Sequence, residues 1–360
     1  MPHTRRRKSI VKVTLQDVAR ETGVSAITVS RALREPDKVS DALRDQILSV
    51  VDKMGYVPDL NARALASGTS TFIGVLLPSL SHSAISAVLN GIEARIRGSD
   101  YRIQYSNTHY DPGAEVKQVR AFTAHSPAGV IVAGTERLEN LEAIVNEAGC
   151  PVVQTIDATL KMRGIAVAID HKKAAMVATR HMLSQGYRRI AILGCGHDIR
   201  VRLRQEGYCE VMQQAGLLDE SMIIWQDAPP SIHVGSRLIR RLIEKRPDID
   251  GVFCHSDDLA LGVIFECQRL GIRVPEDFGI CGFNDLEYAM TTEPPLTTIH
   301  VPRFDIGYTA ADILITLGQG GVIKERNLDL GFELVERQTT RRSKVSASTD
   351  GSAPLAVADP

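Results

Sequence analysis

The sequence predicts an all-α helix-turn-helix headpiece followed by a two-lobed α/β body built on two doubly wound parallel sheets. Three observations carry that expectation. Residues 13–34, VTLQDVARETGVSAITVSRALR, hold two short amphipathic helical patterns on either side of Gly23. From Thr71 onward, short runs rich in β-branched residues alternate with helical patterns, as parallel sheets require. Those runs form two series, which implies two lobes with a cleft between them.

The first helix opens with Thr14 and, three residues on, Asp17, a pairing that satisfies the unpaired amides of a helix start. Leu15, Val18 and Ala19 repeat at helical spacing and form its inner stripe. Gly23 takes the sharp turn, which needs a residue tolerant of positive φ. Ser25 caps the second helix, which is expected to turn Val29 and Leu33 inward and to leave Ala26, Ile27, Thr28, Ser30 and Arg31 outside. A helix pair of this kind can be an ordinary hairpin. Here it is N-terminal and follows a basic arm, Arg5, Arg6, Arg7, Lys8 and Lys12, which favours a helix laid in the major groove of DNA. Thr28 and Ser30 are placed for phosphate, and Arg31 for the edge of a guanine. A third helix is expected from Ser40 to Met54, with Leu43, Ile47, Val50 and Met54 inward and Gly55 ending it. Beyond Pro58, residues 59–67, DLNARALAS, are too few for a stable helix on their own.

In the body, 72–78, 101–107, 128–134 and 150–156 read as strands of a first lobe. Residues 188–194, 222–226, 250–256 and 278–284 read as strands of a second, to which 332–339 returns. The lobes then span about 71–169 plus 300–330 and about 170–299 plus 331–341. The expected domains are a headpiece over 1–57, a linker over 58–70, the body over 71–341 and a disordered Ser/Ala/Pro-rich tail over 342–360, without heptads.

With 360 residues and a hydrophobic fraction of 44%, the chain can bury more than one core, and no apolar run is long enough to span a membrane. The charged N-terminus lacks the apolar stretch of an export signal, so a cytoplasmic protein is expected. The net charge of −1 conceals an asymmetry: residues 1–70 carry 12 Lys/Arg against 8 Asp/Glu, a balance of +4, which leaves −5 for the rest. A basic head concentrates the attraction for phosphate at one end. The six cysteines, at 150, 195, 209, 254, 267 and 281, have no CxxC spacing, so they read as reduced core thiols and no metal site is expected.

Parallel sheets bind ligands outside the carboxyl ends of their strands. Gly194 and Gly196 form a GxG there without a third glycine, and neither GxxxxGK[ST] nor GxSxG occurs, so no catalytic residue and no cofactor is expected. Ser79, Ser81 and His82, after the first strand, can supply donors from one wall, and Ser231 in PPSIH from another. HSDD closes the strand at 250–256. Its Asp257 can face a ligand or can cap the helix that follows.

The headpiece run, then VSDALRDQILSVVDKMGYVPDLNARALASG, then the sensor motifs in order to about residue 340, resemble the LacI/GalR family of bacterial transcription regulators. The resemblance implies a dimeric repressor of carbohydrate genes with a periplasmic-binding-protein-like sensor. It puts base reading on Ala26, Ile27 and Arg31, with Thr14 and Ser25 among the further DNA contacts. It implies that 59–67 forms a hinge helix in the minor groove, with Asn61, Ala62 and Arg63 in contact and Leu65 wedged between base pairs. It assigns effector binding to Arg204 in RVRLRQEGY, to Ser256 and Asp257, and to position 284. The family pattern at that last position is an aspartate that holds sugar hydroxyls. This chain has Asn284, and the missing carboxylate favours an anionic ligand. The run GIRVPEDFGICGFNDLEYAMTTEPPLTTI is similar to the gluconate-operon repressors of the family, so the expected effector is a sugar acid, gluconate, that releases the operator. Two alternatives stand beside it: a regulator of the same family with a neutral sugar or purine as corepressor, and a Rossmann-type enzyme with a DNA-binding head.

Overall fold

The computed structural model describes residues 13–57, 71–80, 83–135, 137–160 and 163–342, and the chain divides into two compact units between residues 70 and 71. In the first unit α1 (Leu15–Thr22), α2 (Ala26–Arg34) and α3 (Asp41–Met54) enclose Val18, Ala19, Val29, Ala32 and Ile47. The capping box is formed. The Asp17 amide donates to the Thr14 hydroxyl at 3.3 Å, and the Thr14 amide and hydroxyl donate to the Asp17 carboxylate at 3.0 and 2.6 Å. Gly23 adopts φ 72°, the left-handed turn that lets α2 cross α1. The second helix buries Ala32 with Val29, three residues apart on one face, while Leu33 packs at the rim instead of turning fully inward. In α3 only Ile47 is fully buried; Leu43, Val50 and Met54 pack around it partly exposed.

The second unit carries two sheets with parallel strands throughout. The first comprises β1 (Phe72–Leu77), β2 (Arg102–Asn107), β3 (Gly129–Val132), β4 (Val152–Gln154), β5 (Ile165–Ala168) and β11 (Asn327–Asp329), in the order β11-β5-β4-β3-β1-β2. The second comprises β6 (Ile190–Cys195), β7 (Ile223–Gln226), β8 (Gly251–Cys254) and β9 (Gly279–Cys281), in the order β7-β6-β8-β9. Counted from its own first strand, each sheet runs second, first, third, fourth. The same winding is thus used twice, and each reversal of direction falls beside the first strand, where such sheets open a ligand crevice. Helices α4 (Ser83–Ile96), α5 (Pro112–Thr123), α6 (Leu138–Glu147) and α11 (Arg303–Gly318) cover the first sheet. Helices α7 (His171–Ser184), α8 (Ile199–Gln214), α9 (Ile232–Lys245) and α10 (Asp257–Arg269) cover the second. One core runs through both lobes, with Ile73, Val75 and Leu77 of β1 at one end and Ile190, Ile192 and Phe253 at the other. Leu76 points the opposite way, into a separate core with Val119, Phe122, Val130 and Val132, as alternation along a strand requires.

Three strands escape the sequence pattern: β5, β11 and β10 (Thr298–His300). They are three or four residues long, too short to show a period, and β11 reads Asn-Leu-Asp at an edge. The segment 332–339 also differs from expectation. Only β12 (Glu333–Val335) is extended, and it pairs antiparallel with β10 as a separate ribbon instead of joining the second sheet. The chain reaches that sheet just beyond, where the Thr339 hydroxyl donates to the Ile280 carbonyl at 2.7 Å. All six cysteines are unpaired, and burial pushes the Cys195 thiol up to about 12. Among the described residues no helix is long and apolar enough to cross a membrane.

Candidate DNA-reading face and effector cleft

On α2, Ile27 is 69% exposed and Arg31 is exposed beside it, while Ala26, Thr28 and Ser30 are partly covered. Ser25 and Thr28 are tied together: the Thr28 amide donates to the Ser25 hydroxyl at 3.1 Å and the two hydroxyls lie 2.9 Å apart. The Ser30 hydroxyl accepts from the Arg34 guanidinium. Thr14 is engaged in the capping box, so it sets the start of α1. A large aliphatic side chain held out in water on a helix flanked by Arg31 and Arg34 suits contact with thymine methyls, with the arginines supplying polar and phosphate contacts. Asn61, Ala62, Arg63 and Leu65 lie outside the described residues, as do Ser81 and His82.

In the sensor unit, the loops after the strands converge on a cleft between the lobes. Pro78, Tyr110 and Thr155 enter from the first lobe, and Gly196, His255, Ser256 and Asn284 from the second. Tyr110 is held there by consecutive left-handed residues, His109 at φ 54° and Tyr110 at φ 60°. Such conformations in non-glycine residues are uncommon and cluster at functional sites.

Three arginines dominate the cavity. Asp198 caps α8 and takes Arg200 in a two-pronged pair, Nε and Nη2 both at 2.8 Å. Burial alone would raise the Asp198 carboxyl, but Arg200 holds it below its ordinary range. Arg204, one turn on, is buried, with its guanidinium carbon 3.8 Å from the centre of the Phe283 ring. It donates to the His171 Nδ1 at 3.2–3.3 Å and to the His255 carbonyl at 2.5 Å. Burial first, then the neighbouring arginines, hold His171 well below its usual value, so the ring is neutral and accepts at Nδ1. Arg303 opens α11 and donates to both the carbonyl and the side-chain oxygen of Asn284, which sits at φ 124°. Burial, relieved by Asp257 and reinforced by Arg200, brings Arg303 down to about 10. Burial, Arg200 and Arg303 depress Arg204 too. Of the described residues lining the cavity only Asp198 is a carboxylate, and it is committed to Arg200. Two guanidinium groups are therefore crowded together with neutral acceptors only, an arrangement that an incoming anion relieves.

Arg204, Ser256 and Asn284 thus line the cleft, whereas three other candidates do not reach it. Asp257 turns inward. It is fully buried, accepts from the Thr298 hydroxyl at 2.6 Å and the Leu286 amide at 2.8 Å, and burial pushes it up to about 6. The helix cap is Ser256, not Asp257. Ser231 caps α9, accepting from the Val234 amide at 3.3 Å, and leaves Pro230 on the cavity wall. Pro78, not Ser79, faces the cavity from β1. Sequence reading missed Arg200, Arg303, His171 and Tyr110. A signal existed for the two arginines: each stands in the first turn of a helix, where the dipole disfavours a cation.

Residues 14–59 match the bacterial regulatory proteins of the lacI family, and residues 179–340 match a periplasmic binding protein-like domain. The chain is 37% identical over 327 residues to the HTH-type transcriptional regulator GntR of Pseudomonas aeruginosa, covering 91% of this chain and 95% of that protein. It belongs to the lacI family. A LacI-family regulator from Silicibacter pomeroyi superposes with a TM-score of 0.82 at 32% identity, over 92% of this chain and all of that one. The lac repressor dimer bound to operator and the anti-inducer ONPF superposes with a TM-score of 0.80 at 25% identity, over 91% and 99% of the two chains. As a member of this family the protein is a DNA-binding transcriptional repressor that acts as a dimer on operator DNA and takes a small-molecule effector. Its relatives are regulators, so the reading as a Rossmann-type enzyme falls.

Proposed function

We propose that this repressor is released from its operator by a sugar acid, gluconate, held in the cleft by Arg204 and Arg303. The observation that carries the proposal is the pair of guanidinium groups that donate only to neutral acceptors, in a cavity whose one carboxylate among the described residues, Asp198, is taken by Arg200. A carboxylate bridges the arginines, and the polyol chain meets Thr155, Ser256, Tyr110 and the amide of Asn284. The loss of an aspartate at position 284 is in keeping, since a carboxylate there would repel the ligand. In the headpiece, Ala26, Ile27 and Arg31 read bases, while Thr14, Ser25, Thr28 and Ser30 fix register on phosphates. Asn61, Ala62, Arg63 and Leu65 act in a linker over 58–70 that bends the minor groove. The protein works in the cytoplasm, where both operator and sugar acid are met.

The competing reading is a neutral sugar or purine that tightens operator binding. Fluorescence anisotropy on operator DNA, paired with thermal melting, separates them using gluconate, glucose and hypoxanthine. Gluconate is expected to raise both the melting temperature and the operator Kd. Tighter operator binding with glucose or hypoxanthine, and no response to gluconate, sinks the proposal.

A further inference from the structure

The first turn of α8 belongs to the second lobe by sequence and to the first by packing. Ile199 is 5% exposed and sits in the first lobe's outer core with Leu76, Val132, Leu141 and Ile144, and Leu203 packs against the same cluster one turn on. The Ile199 amide donates to the Thr135 carbonyl of the first lobe at 3.3 Å. Thr135 is itself pinned, its hydroxyl donating to the buried Glu115 carboxylate at 2.6 Å. Arg200 crosses the same seam. A Cβ on Gly134 would stand 2.8 Å from the Arg200 Nη2 and 2.9 Å from the Pro78 ring, so any side chain there must move one or the other. Helical spacing puts Ile199 and Leu203 on the seam and Arg200 and Arg204 on the cleft. One helix therefore carries the inter-lobe contact, the Asp198–Arg200 pair and one of the two arginines proposed to hold the ligand, Arg204.

We infer that Ile199 and Gly134 are positioning residues for effector binding: they dock α8 on the first lobe and so hold Arg200 and Arg204 in place across the cleft. This rests on the cleft being the effector site. With the Ile199 plug removed, the lobes part at the seam and the arginines must be gathered anew each time a ligand binds, which lowers affinity without altering any group that touches it.

Hydrogen exchange of the full chain without ligand, and gluconate titrations followed by fluorescence of Trp225, test this in two arms. Trp225 is the only tryptophan and meets the cleft-lining His255 edge-on at 6.4 Å. Ile199→Ala is expected to speed exchange at least about tenfold over 129–135 and 199–206, to leave 251–254 unchanged, and to weaken gluconate about tenfold. Ile199→Val is expected to restore both. Gly134→Ala presses on the tip of Arg200 and on the Pro78 ring without removing a core side chain, and should weaken gluconate. Unchanged exchange at the seam, or equal acceleration over 251–254, overturns the docking. Faster seam exchange with unchanged gluconate affinity overturns the positioning role. A wild-type protein silent to gluconate defeats the sugar-acid reading instead, and the exchange arm still decides the docking.

Discussion

A guanidinium taken out of water without a carboxylate partner costs several kcal/mol, and two side by side add their mutual repulsion. Arg204 and Arg303 are in that position, with a neutral imidazole, two backbone carbonyls and an amide oxygen as acceptors. Arg303→Gln is expected to weaken gluconate by about 2–5 kcal/mol, the usual cost of removing one partner of a desolvated charge pair. Calorimetric titration checks this, and an unchanged Kd would remove Arg303 from the site. Asp257 gives the site a pH dependence. Its carboxyl titrates at about 6, mainly because it is buried, and it lies near Arg303 and Asp285. Above pH 6 its negative charge offsets part of the arginines' field. Below pH 6 it is neutral while a ligand carboxylate, with an ordinary pKa near 4, stays charged. Gluconate should therefore bind more tightly at pH 5.5 than at 7.5, and Asp257→Asn should flatten the profile. On the DNA side, Ile27→Gln should change which operator base is preferred, with a discrimination of about 1–3 kcal/mol at that position, measured by anisotropy on single-base variants.

At the scale of elements, the two helical starts of the headpiece were legible because their caps are local: Thr14 with Asp17 and Ser25 with Thr28 need only residues three apart. The strands of both series were legible for the same reason, as runs of β-branched residues with turns between. The strands β5, β10 and β11 were not, since three or four residues leave no period to read. Ala32 in place of Leu33 as the inward residue of α2 is a rotation that only the packing of α1 and α3 sets. Ile47 is the one fully buried residue that α3 contributes. Ile47→Ala should cost the headpiece about 2–5 kcal/mol and abolish operator binding, while gluconate binding to the sensor unit persists. Loss of both would show that the units do not fold separately.

For the whole molecule, the basic head predicts that operator affinity falls steeply with salt, because phosphate neutralisation releases counterions. The effector should stabilise the sensor unit by mass action. At 100 times its Kd, gluconate is expected to contribute about 2.7 kcal/mol, read as a rise in the sensor's melting transition with no shift in the headpiece's.

The sequence by itself determined the headpiece, the double α/β winding, the basic arm and Arg204 as a residue of the cleft, because each is written in residues near one another along the chain or in a motif of fixed order. Only the tertiary structure decided the rest of the cleft. Arg303 lies about a hundred residues from Arg204, and no local pattern says that one will stand beside the other. Asp257 and Ser256 are adjacent in sequence, yet the strand's end points one into the cavity and the other into the core. Side chains acquire their solvent, their charge neighbours and their direction from elements distant in the chain. A cleft assembled from the ends of strands in both sheets is thus fixed by the fold and not by any one segment.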